Sequence, residues 1–571
     1  MKFLFSRLGR FKWRMLLGLS VKVAGTVAEL FLPLILSYIL DHAIGSLDIG
    51  RVIFAGILMV LCALAACIFN IIANRMAARV SMEFSLELRR ELFSSTLYLS
   101  AKDTDSFTVP SLEARITSDT YNIHNFVSMM QRMGVRAPIL LIGGLGISFV
   151  MDPYLALVML ATLPLIFCVV FFISRKGVPL YSGVQKSVDS MVRVVREDVQ
   201  GIRVIKALSK NEYENQRYDK VNAKLSKDER HAATVMGVIN PIMTLLMNLG
   251  IAGVVALCAT RVALGSSSAA TVIAFMQYFT LISMAMMTLS RMFVMYTKCA
   301  ASAKRVAEVV NTPDSFTVTE TEATGSEYHI EFKNVSFSYF GKKNNLENIS
   351  FALKKGESLG IIGATGSGKS TILRLLMRFY DADCGEILIN GRSLYSYTRE
   401  ELTAMFGVAL QSDFLYRDTI RENISFGRDL SDEAIKKAAR ISQAEEFILG
   451  TAEGYDKMLS AKGTNISGGQ RQRLLIARAI AANPEILILD DSSSALDYRT
   501  DAALRRDLKE NMADTTTLTV AQRVSSIKDC DLILVIDEGK IIGKGTHKEL
   551  LLSCTEYKEI SESQMGGAFI E

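Results

Sequence analysis

Apolar residues dominate about the first 300 positions of the chain and form six stretches, each near the roughly 20 residues that a bilayer-spanning helix needs. These stretches cover approximately residues 15–41, 52–74, 129–151, 153–174, 236–258 and 270–296. The segments that follow the second and fourth stretches keep apolar residues at helical spacing between charged ones. The pattern therefore predicts an α-helical six-span membrane domain, in which spans two to five continue as long intracellular helices.

Basic residues predict the orientation of these spans. They are frequent ahead of the first span and in the long connections 75–125 and 175–230, and scarce in the short connections 42–51 and 259–269. Because cytoplasmic connections carry the excess of lysine and arginine, we expect both termini and both long connections in the cytoplasm and the short connections outside. The sequence thus predicts a multi-pass protein of the cell (plasma or inner) membrane.

Two charged residues, Lys22 and Glu29, interrupt the first span. Charged side chains are costly in lipid, so we expect both to face the bundle interior or a water-filled cavity, and to pair with each other about two turns apart. Charges in this position are candidates for contact with a transported substrate.

The pattern changes after the last span. A polar stretch follows, and then short runs such as HIEFKNVSFSY, EILILD and DLILVI, which are typical of strands. We therefore expect a membrane domain over residues 1–305, a linker over 306–327 and an α/β domain over 328–571.

Composition agrees with a membrane part joined to a soluble part. The chain has 571 residues, of which 50% are hydrophobic, and its net charge is only +5. The mean hydropathy of +0.25 is high for a soluble protein. The small net charge gives no support to nucleic-acid binding. The eight cysteines form no CxxC pair and no histidine cluster accompanies them, so we expect neither a zinc nor an iron–sulfur site, nor a structural disulfide.

A phosphate-binding loop is the clearest chemical motif. The segment GATGSGKST follows the apolar run SLGIIG and precedes a helical run, which is the context that the pattern GxxxxGK[ST] requires. The segment consists of Gly363, Ala364, Thr365, Gly366, Ser367, Gly368, Lys369, Ser370 and Thr371. Its backbone N–H groups would surround a phosphate, Lys369 would supply charge and Ser370 would bind Mg²⁺. Asp490, which ends the run EILILD, is placed to hold Mg²⁺ through water.

A second anion-binding helix start lies between these two motifs. Ser467, Gly468 and Gly469 begin the long helical run of ISGGQRQRLLIARAI and present a hydroxyl and free N–H groups. A single nucleotide needs only one such helix start. The second one is therefore predicted to serve a nucleotide that another subunit holds.

These motifs together resemble those of ABC transporters of the exporter type, in which each half-transporter carries a membrane domain followed by a nucleotide-binding domain. The segment ISGGQ, which includes Gln470, is similar to the ABC signature, and SALD is similar to the D-loop. The resemblance implies ATP and Mg²⁺ as ligands. It also implies that Tyr339 stacks on adenine, and that Gln411 touches Mg²⁺ together with Ser370 and Asp490.

Two catalytic positions depart from the pattern of this family. Asp491 stands where the family usually has a glutamate as general base, and Gln522 stands where it has a switch histidine. The aspartate is one methylene shorter, and a misplacement of about 1 Å can cost about 10²-fold in rate. Ala461 also replaces a glutamate that is common ahead of the signature in exporters.

The combination of intact binding motifs with an altered catalytic pair resembles the degenerate half of a heterodimeric multidrug exporter. The partner would then be a different half-transporter that has the Walker B glutamate and the switch histidine. An active homodimeric exporter or lipid flippase is the first alternative, and an ATP-binding regulatory or channel-like membrane subunit is the second. The resemblance also implies membrane lipid and a small lipophilic substrate as partners, with no nucleic acid. Methionines at helical spacing in the last span are typical of core or lipid-facing packing, and any that line a cavity would suit varied apolar molecules; they are Met276, Met284, Met286, Met287, Met292 and Met295.

Overall fold

Two units make up the chain in the computed structural model, which describes residues 1–44, 48–264, 268–319, 325–339, 341, 343–411 and 413–565. The first unit comprises Met1–Leu97 and Thr108–Thr312, and the second comprises Tyr98–Phe107 and Pro313–Glu571. Parts of the predicted outer connections and of the predicted linker lie outside the described residues. The domain boundaries drawn from the sequence stay predictions.

Long helices build the first unit, as the apolar pattern predicts. In chain order the first helices are α1 Lys2–Leu8, α2 Lys12–Tyr38, α3 Ile49–Leu97, α4 Ala101–Phe107 (which belongs to the second unit), α5 Val109–Ala114, α6 Thr120–Met133, α7 Arg136–Met151, α8 Pro153–Ala207, α9 Asn211–Gly237, α10 Ile239–Ala263 and α11 Ala269–Val310.

Six helical stretches among the described residues are long and apolar enough to cross a membrane, which confirms the predicted number of spans. They are Lys2–Asp41, Ile49–Leu97, Val109–Met151, Pro153–Ala207, Asn211–Ala263 and Ala270–Val310. α3 has 49 residues and α8 has 55. At 1.5 Å per residue α3 is about 73 Å long, whereas the hydrocarbon core of a bilayer is about 30 Å thick. Such helices extend well beyond a membrane.

The expected pairing of Lys22 with Glu29 is wrong. Lys22 is buried and donates to Asn70 and Asn74 on α3, whereas Glu29 forms an ion pair with Arg136 at the start of α7. Neighbouring helices thus supply nearer partners than the same helix does two turns away.

The second unit is the predicted α/β domain and contains two sheets. Its strands are β1 Ile330–Phe337, β2 Leu346–Leu353, β3 Ser358–Gly363, β4 Cys384–Ile389, β5 Arg392–Ser393, β6 Phe406–Ala409, β7 Ile486–Asp490, β8 Thr516–Val520, β9 Leu532–Asp537 and β10 Lys540–Gly545. Its remaining helices are α12 Lys369–Leu376, α13 Arg399–Met405, α14 Ile420–Ser425, α15 Asp432–Ile441, α16 Glu445–Leu449, α17 Gly468–Ile480, α18 Tyr498–Asn511, α19 His547–Ser553 and α20 Thr555–Met565.

The larger sheet positions the candidate site. Its strand order is β10-β9-β3-β8-β7-β6, and all its neighbouring pairs are parallel except the pair of β10 with β9. Every residue of β7 is buried, as expected for a strand of a parallel sheet that is covered on both faces. The smaller sheet, ordered β2-β1-β4-β5, is antiparallel.

Four adjacent strands of the larger sheet end at the same edge and carry the residues singled out from the sequence. The phosphate-binding loop follows β3, Gln522 follows β8, Asp490 ends β7 and Gln411 follows β6. In parallel sheets ligands bind at the carboxyl ends of the strands. The topology therefore brings together residues that are more than 100 positions apart in the chain.

Candidate functional site

The loop between β3 and α12 is shaped by glycines at positions that other residues do not fit. Gly363 has a φ of +156°, and a Cβ there would lie 2.0 Å from the carbonyl oxygen of Ile536. Gly368 has a φ of +105°, a left-handed conformation that glycine adopts readily. Lys369 donates from Nζ to the carbonyl oxygens of Gly363 at 2.9 Å and Ala364 at 2.7 Å, and burial lowers its pKa. The loop thus presents a backbone cradle and a cation, as a phosphate site requires.

Oxygen donors suited to Mg²⁺ stand at the start of α12 and the end of β7. Ser370 donates from Oγ to Oδ1 of Asp490 at 3.0 Å. Burial raises the pKa of Asp490, and the hydrogen bond from Ser370 partly opposes that effect. Within the described part of the chain, the buried hydroxyl of Ser367 has no hydrogen-bond partner. Hydroxyl and carboxylate oxygens are ligands that Mg²⁺ prefers, so these residues fit the cation that the sequence implies.

Asp491 lies at the centre of a three-residue hydrogen-bonded group. Its Oδ2 accepts from Nε2 of Gln411 at 3.1 Å and from Nε2 of Gln522 at 2.8 Å. Burial raises the pKa of Asp491, while the two amide donors act in the opposite direction. The backbone of Asp491 has a φ of +49°, a conformation that aspartate tolerates better than most residues do. Asp491 and Gln522, the two positions that depart from the expected motifs, are therefore in direct contact.

A cavity of about 310 Å³ connects these groups with Tyr339. The cavity is lined by Tyr339, Asn345, Thr365, Gly366, Gly368, Lys369, Ser370, Thr371, Arg374, Gln411, Asp490, Asp491, Val520 and Gln522. The Tyr339 hydroxyl lies 3.3 Å from Oγ1 of Thr371 and accepts from Arg374 at 3.2 Å. Arg374 was not predicted from the sequence, although its position four residues after Ser370 on the same helix is a usable signal.

The signature residues lie elsewhere in the unit, at the start of α17. Ser467 accepts from the backbone N–H of Gln470 at 3.2 Å, and the Gln470 side chain accepts from the N–H of Ser467 at 3.0 Å. This reciprocal cap fixes the first turn of the helix. Ser467 and Gly468 are exposed, Gly469 is half-buried, and none of them lines the cavity just described. The exposed start of α17 is therefore accessible to a ligand that this cavity does not hold.

Comparison with known proteins agrees with both halves of this description. Residues 15–286 match the ABC transporter transmembrane region, and residues 346–494 match the ABC transporter family. The chain is 34% identical over 552 residues to the ABC transporter ATP-binding protein YfiB of Bacillus subtilis, with 96% of each chain covered. The chain belongs to the ABC transporter family. Its second unit is accordingly the ATP-binding domain of an ABC transporter, joined to a six-helix membrane region.

Two further similarities support the assignment to ABC transporters. The ABC transporter ATP-binding protein exp8 of Streptococcus pneumoniae is 31% identical and covers 96% of this chain and 94% of its own length. A bacterial Atm1-family ABC exporter solved with ATP bound has the same fold, with a TM-score of 0.83 and 24% identity over 97% of this chain and 99% of that one.

Two contacts of this ABC transporter chain were not predicted from its sequence. The Tyr380 hydroxyl donates to the carboxylate of Asp105 on α4, and the Tyr380 ring packs edge-on against Tyr339 at 5.0 Å between centroids. On α20, Gln564 accepts from the N–H of Val524 and donates to the carbonyl oxygen of Gln522, both at 2.8 Å. Residues beyond the motifs therefore position both Tyr339 and Gln522.

Proposed function

We propose that this chain is one half of an ATP-driven exporter of lipophilic or drug-like molecules, paired with a half-transporter of different sequence. The chain binds ATP at a site that hydrolyses it poorly, and its signature, Ser467 to Gln470, completes the competent site of the partner. Ser370, Asp490 and Gln411 hold Mg²⁺, which neutralises phosphate charge when it is bound.

The contact of Asp491 with Gln411 and Gln522 is the observation that carries this proposal. A single oxygen of the short aspartate side chain accepts a hydrogen bond from each of the two glutamine amides. Neither glutamine can take up a proton. General-base catalysis contributes about 10²–10⁴ in rate, which corresponds to about 3–5 kcal/mol of barrier. A site that lacks an extended base and a chargeable switch residue would lose much of this contribution, whereas the loop that binds ATP is unaffected.

The position of the signature supports the composite site. Ser467 and Gly468 are exposed at the start of α17, and a Cβ at Gly468 would meet no atom of this chain within 4 Å. A helix N-terminus with exposed N–H groups is suited to an anion. The phosphates of a nucleotide held by a second half-transporter are such an anion.

An active homodimer is the second candidate, because Asp491 is itself a carboxylate that lines the same cavity as Lys369 and Ser370. In a homodimer the chain's own Asp491 would activate the attacking water, and the same signature would complete both sites.

ATP turnover by the purified chain alone separates the two candidates. Under the heterodimer proposal, the reconstituted chain binds a fluorescent ATP analogue but turns over at least about 10²-fold more slowly than the typical enzyme value of about 10 s⁻¹. Lys369→Ala is the control that should abolish binding. A turnover near 10 s⁻¹ that Asp491→Asn removes would establish the homodimer instead.

The predicted topology requires a separate test. With the native cysteines replaced, cysteines introduced at Lys102 and Lys210 should resist a membrane-impermeant thiol reagent in intact cells and react after the cells are opened. A cysteine at Leu264, within the predicted outer connection 259–269, should react in intact cells. Strong labelling at Lys102 or Lys210 in intact cells would contradict a cytoplasmic location of the long connections.

A further inference from the structure

Lys22 is held inside the first unit by a close approach of two helices. On α2, a Cβ at Gly25 would lie 3.0 Å from the Cβ of Phe69 and 3.3 Å from the backbone nitrogen of Asn70, so α2 and α3 touch at this level. Lys22, one turn earlier on the same helix, is 3% exposed and donates to Oδ1 of Asn70 at 2.7 Å and of Asn74 at 3.1 Å. Both acceptors are neutral, so they solvate the ammonium group without balancing its charge.

Two arginines and one glutamate surround Lys22 at the junction of α6 and α7. Glu29 accepts two hydrogen bonds from Arg136, at 2.7 Å and 3.3 Å, and Arg132 and Arg136 both lie within electrostatic range of Lys22. Within the described ranges, no carboxylate lies within 4 Å of Lys22 or Arg132. We call Lys22, Arg132, Arg136 and Glu29 the cation cluster, because three cations accompany one anion.

The cation cluster lies within the predicted membrane spans. Lys22 is seven residues into the first span, and Arg132 and Arg136 are three and seven residues into the third. With the predicted orientation, these positions fall in the cytoplasmic half of the bilayer. Arg132 and Asn74 are exposed, so the cluster reaches the surface of the unit. Uncompensated charges are costly at such a depth and typically mark a substrate pathway.

We propose that the cation cluster binds the carboxylate or phosphate group of an anionic substrate. This inference rests on the proposed export function and names the substrate class of that function. Lys22 and Arg132 supply the unbalanced positive charge, while Glu29 holds Arg136 in place.

The test compares two probes with the same hydrocarbon body, one with a charged carboxylate and one with a neutral methyl ester. The full-length transporter is placed in phosphatidylcholine nanodiscs without nucleotide, and binding of 11-(dansylamino)undecanoic acid and of its methyl ester is followed by dansyl fluorescence. We expect the acid to bind at least tenfold more tightly than the ester. Because no ATP is present, this result does not depend on whether the chain's own site hydrolyses ATP, which the turnover assay tests separately.

Substitutions then assign the selectivity to the cluster. Lys22→Gln and Arg132→Gln should each weaken binding of the acid about tenfold and leave binding of the ester unchanged, whereas Glu29→Gln should tighten binding of the acid at least threefold. The matched control is Arg14→Gln on the same helix, whose side chain pairs with Glu83 at 2.6 Å and whose loss should change neither constant. Binding of a fluorescent ATP analogue checks that each variant is folded. If Lys22→Gln fails to fold, Lys22→Arg is used instead and should retain the wild-type affinity for the acid.

Two outcomes would overturn the proposal: equal affinity of the wild-type transporter for acid and ester, or an unchanged affinity for the acid in both Lys22→Gln and Arg132→Gln. A further arm identifies the source of the anion. If nanodiscs that contain phosphatidylglycerol weaken binding of the acid in the wild type but not in Lys22→Gln, the occupant is a lipid headgroup. If they have no effect, the occupant is a transported solute.

Discussion

Replacing Gly468 by aspartate tests whether the signature of this chain acts on a nucleotide held by its partner. Within the chain the change is mild, because a Cβ at this position meets no atom within 4 Å and the site is exposed. An acidic residue in the first turn of α17 should even stabilise the helix by about 0.3–1 kcal/mol. The cap formed by Ser467 and Gln470 does not involve the side chain of residue 468. The variant should therefore fold and be as stable as the wild type.

The penalty of this substitution appears only when a phosphate approaches. Two like charges about 4 Å apart repel by about 4 kcal/mol at an effective dielectric constant of 20, which corresponds to about 10³-fold in rate or affinity. In the transporter purified with its partner, Gly468→Asp should thus abolish most ATPase activity, whereas Gly468→Ala, which adds a Cβ without charge, should retain most of it. Asp491→Asn should also leave most activity in place. The reverse ranking, with Asp491→Asn inactive and Gly468→Asp active, would refute the composite site.

Three further predictions concern residues of the second unit. Asp491→Glu combined with Gln522→His should raise the rate of ATP hydrolysis at this chain's own site at least tenfold. The rate is measured with the partner's catalytic glutamate changed to glutamine. An unchanged rate would show that these two residues are not the cause of slow hydrolysis. Gln564→Ala removes two hydrogen bonds from the loop that contains Gln522 and Val524, and should speed hydrogen exchange of the Val524 amide about tenfold. An unchanged exchange rate would show that Gln564 does not hold this loop. Burial lowers the pKa of His329, so the folded chain keeps this imidazole neutral while the unfolded chain takes up a proton below about pH 6.5. The contribution of this residue to stability is therefore present above pH 6.5 and lost as the pH falls. Between pH 7.5 and 5.5 the Tm should decrease less for His329→Gln than for the wild type. Equal decreases would exclude this contribution.

The parts of the fold that could be predicted from the sequence are those whose signals are contiguous. The phosphate-binding loop could be identified because its strand, glycines and helix lie within about 20 residues, and the spans because each is one unbroken apolar run. The bond between Asp105 and Tyr380 joins residues 275 positions apart, and Gln564 contacts a carbonyl group 42 positions away. Neither contact leaves a local pattern. The expected pairing of Lys22 with Glu29 failed for the same reason, because Arg136, 107 positions from Glu29, is the nearer partner in space.

The membership of α4 in the second unit has a consequence for how the protein is made. Asp105 leaves the ribosome about 200 residues before Pro313, where the rest of that unit begins. At about 5–20 residues per second, α4 waits roughly 14–55 s before its partner Tyr380, 275 positions later, is synthesised. An ATP-binding domain expressed from residue 313 onwards would lack one of its own helices and expose the surface around Tyr380 that α4 covers. The unit is thus discontinuous in the gene, and its folding is complete only after the membrane helices up to α11 have been translated.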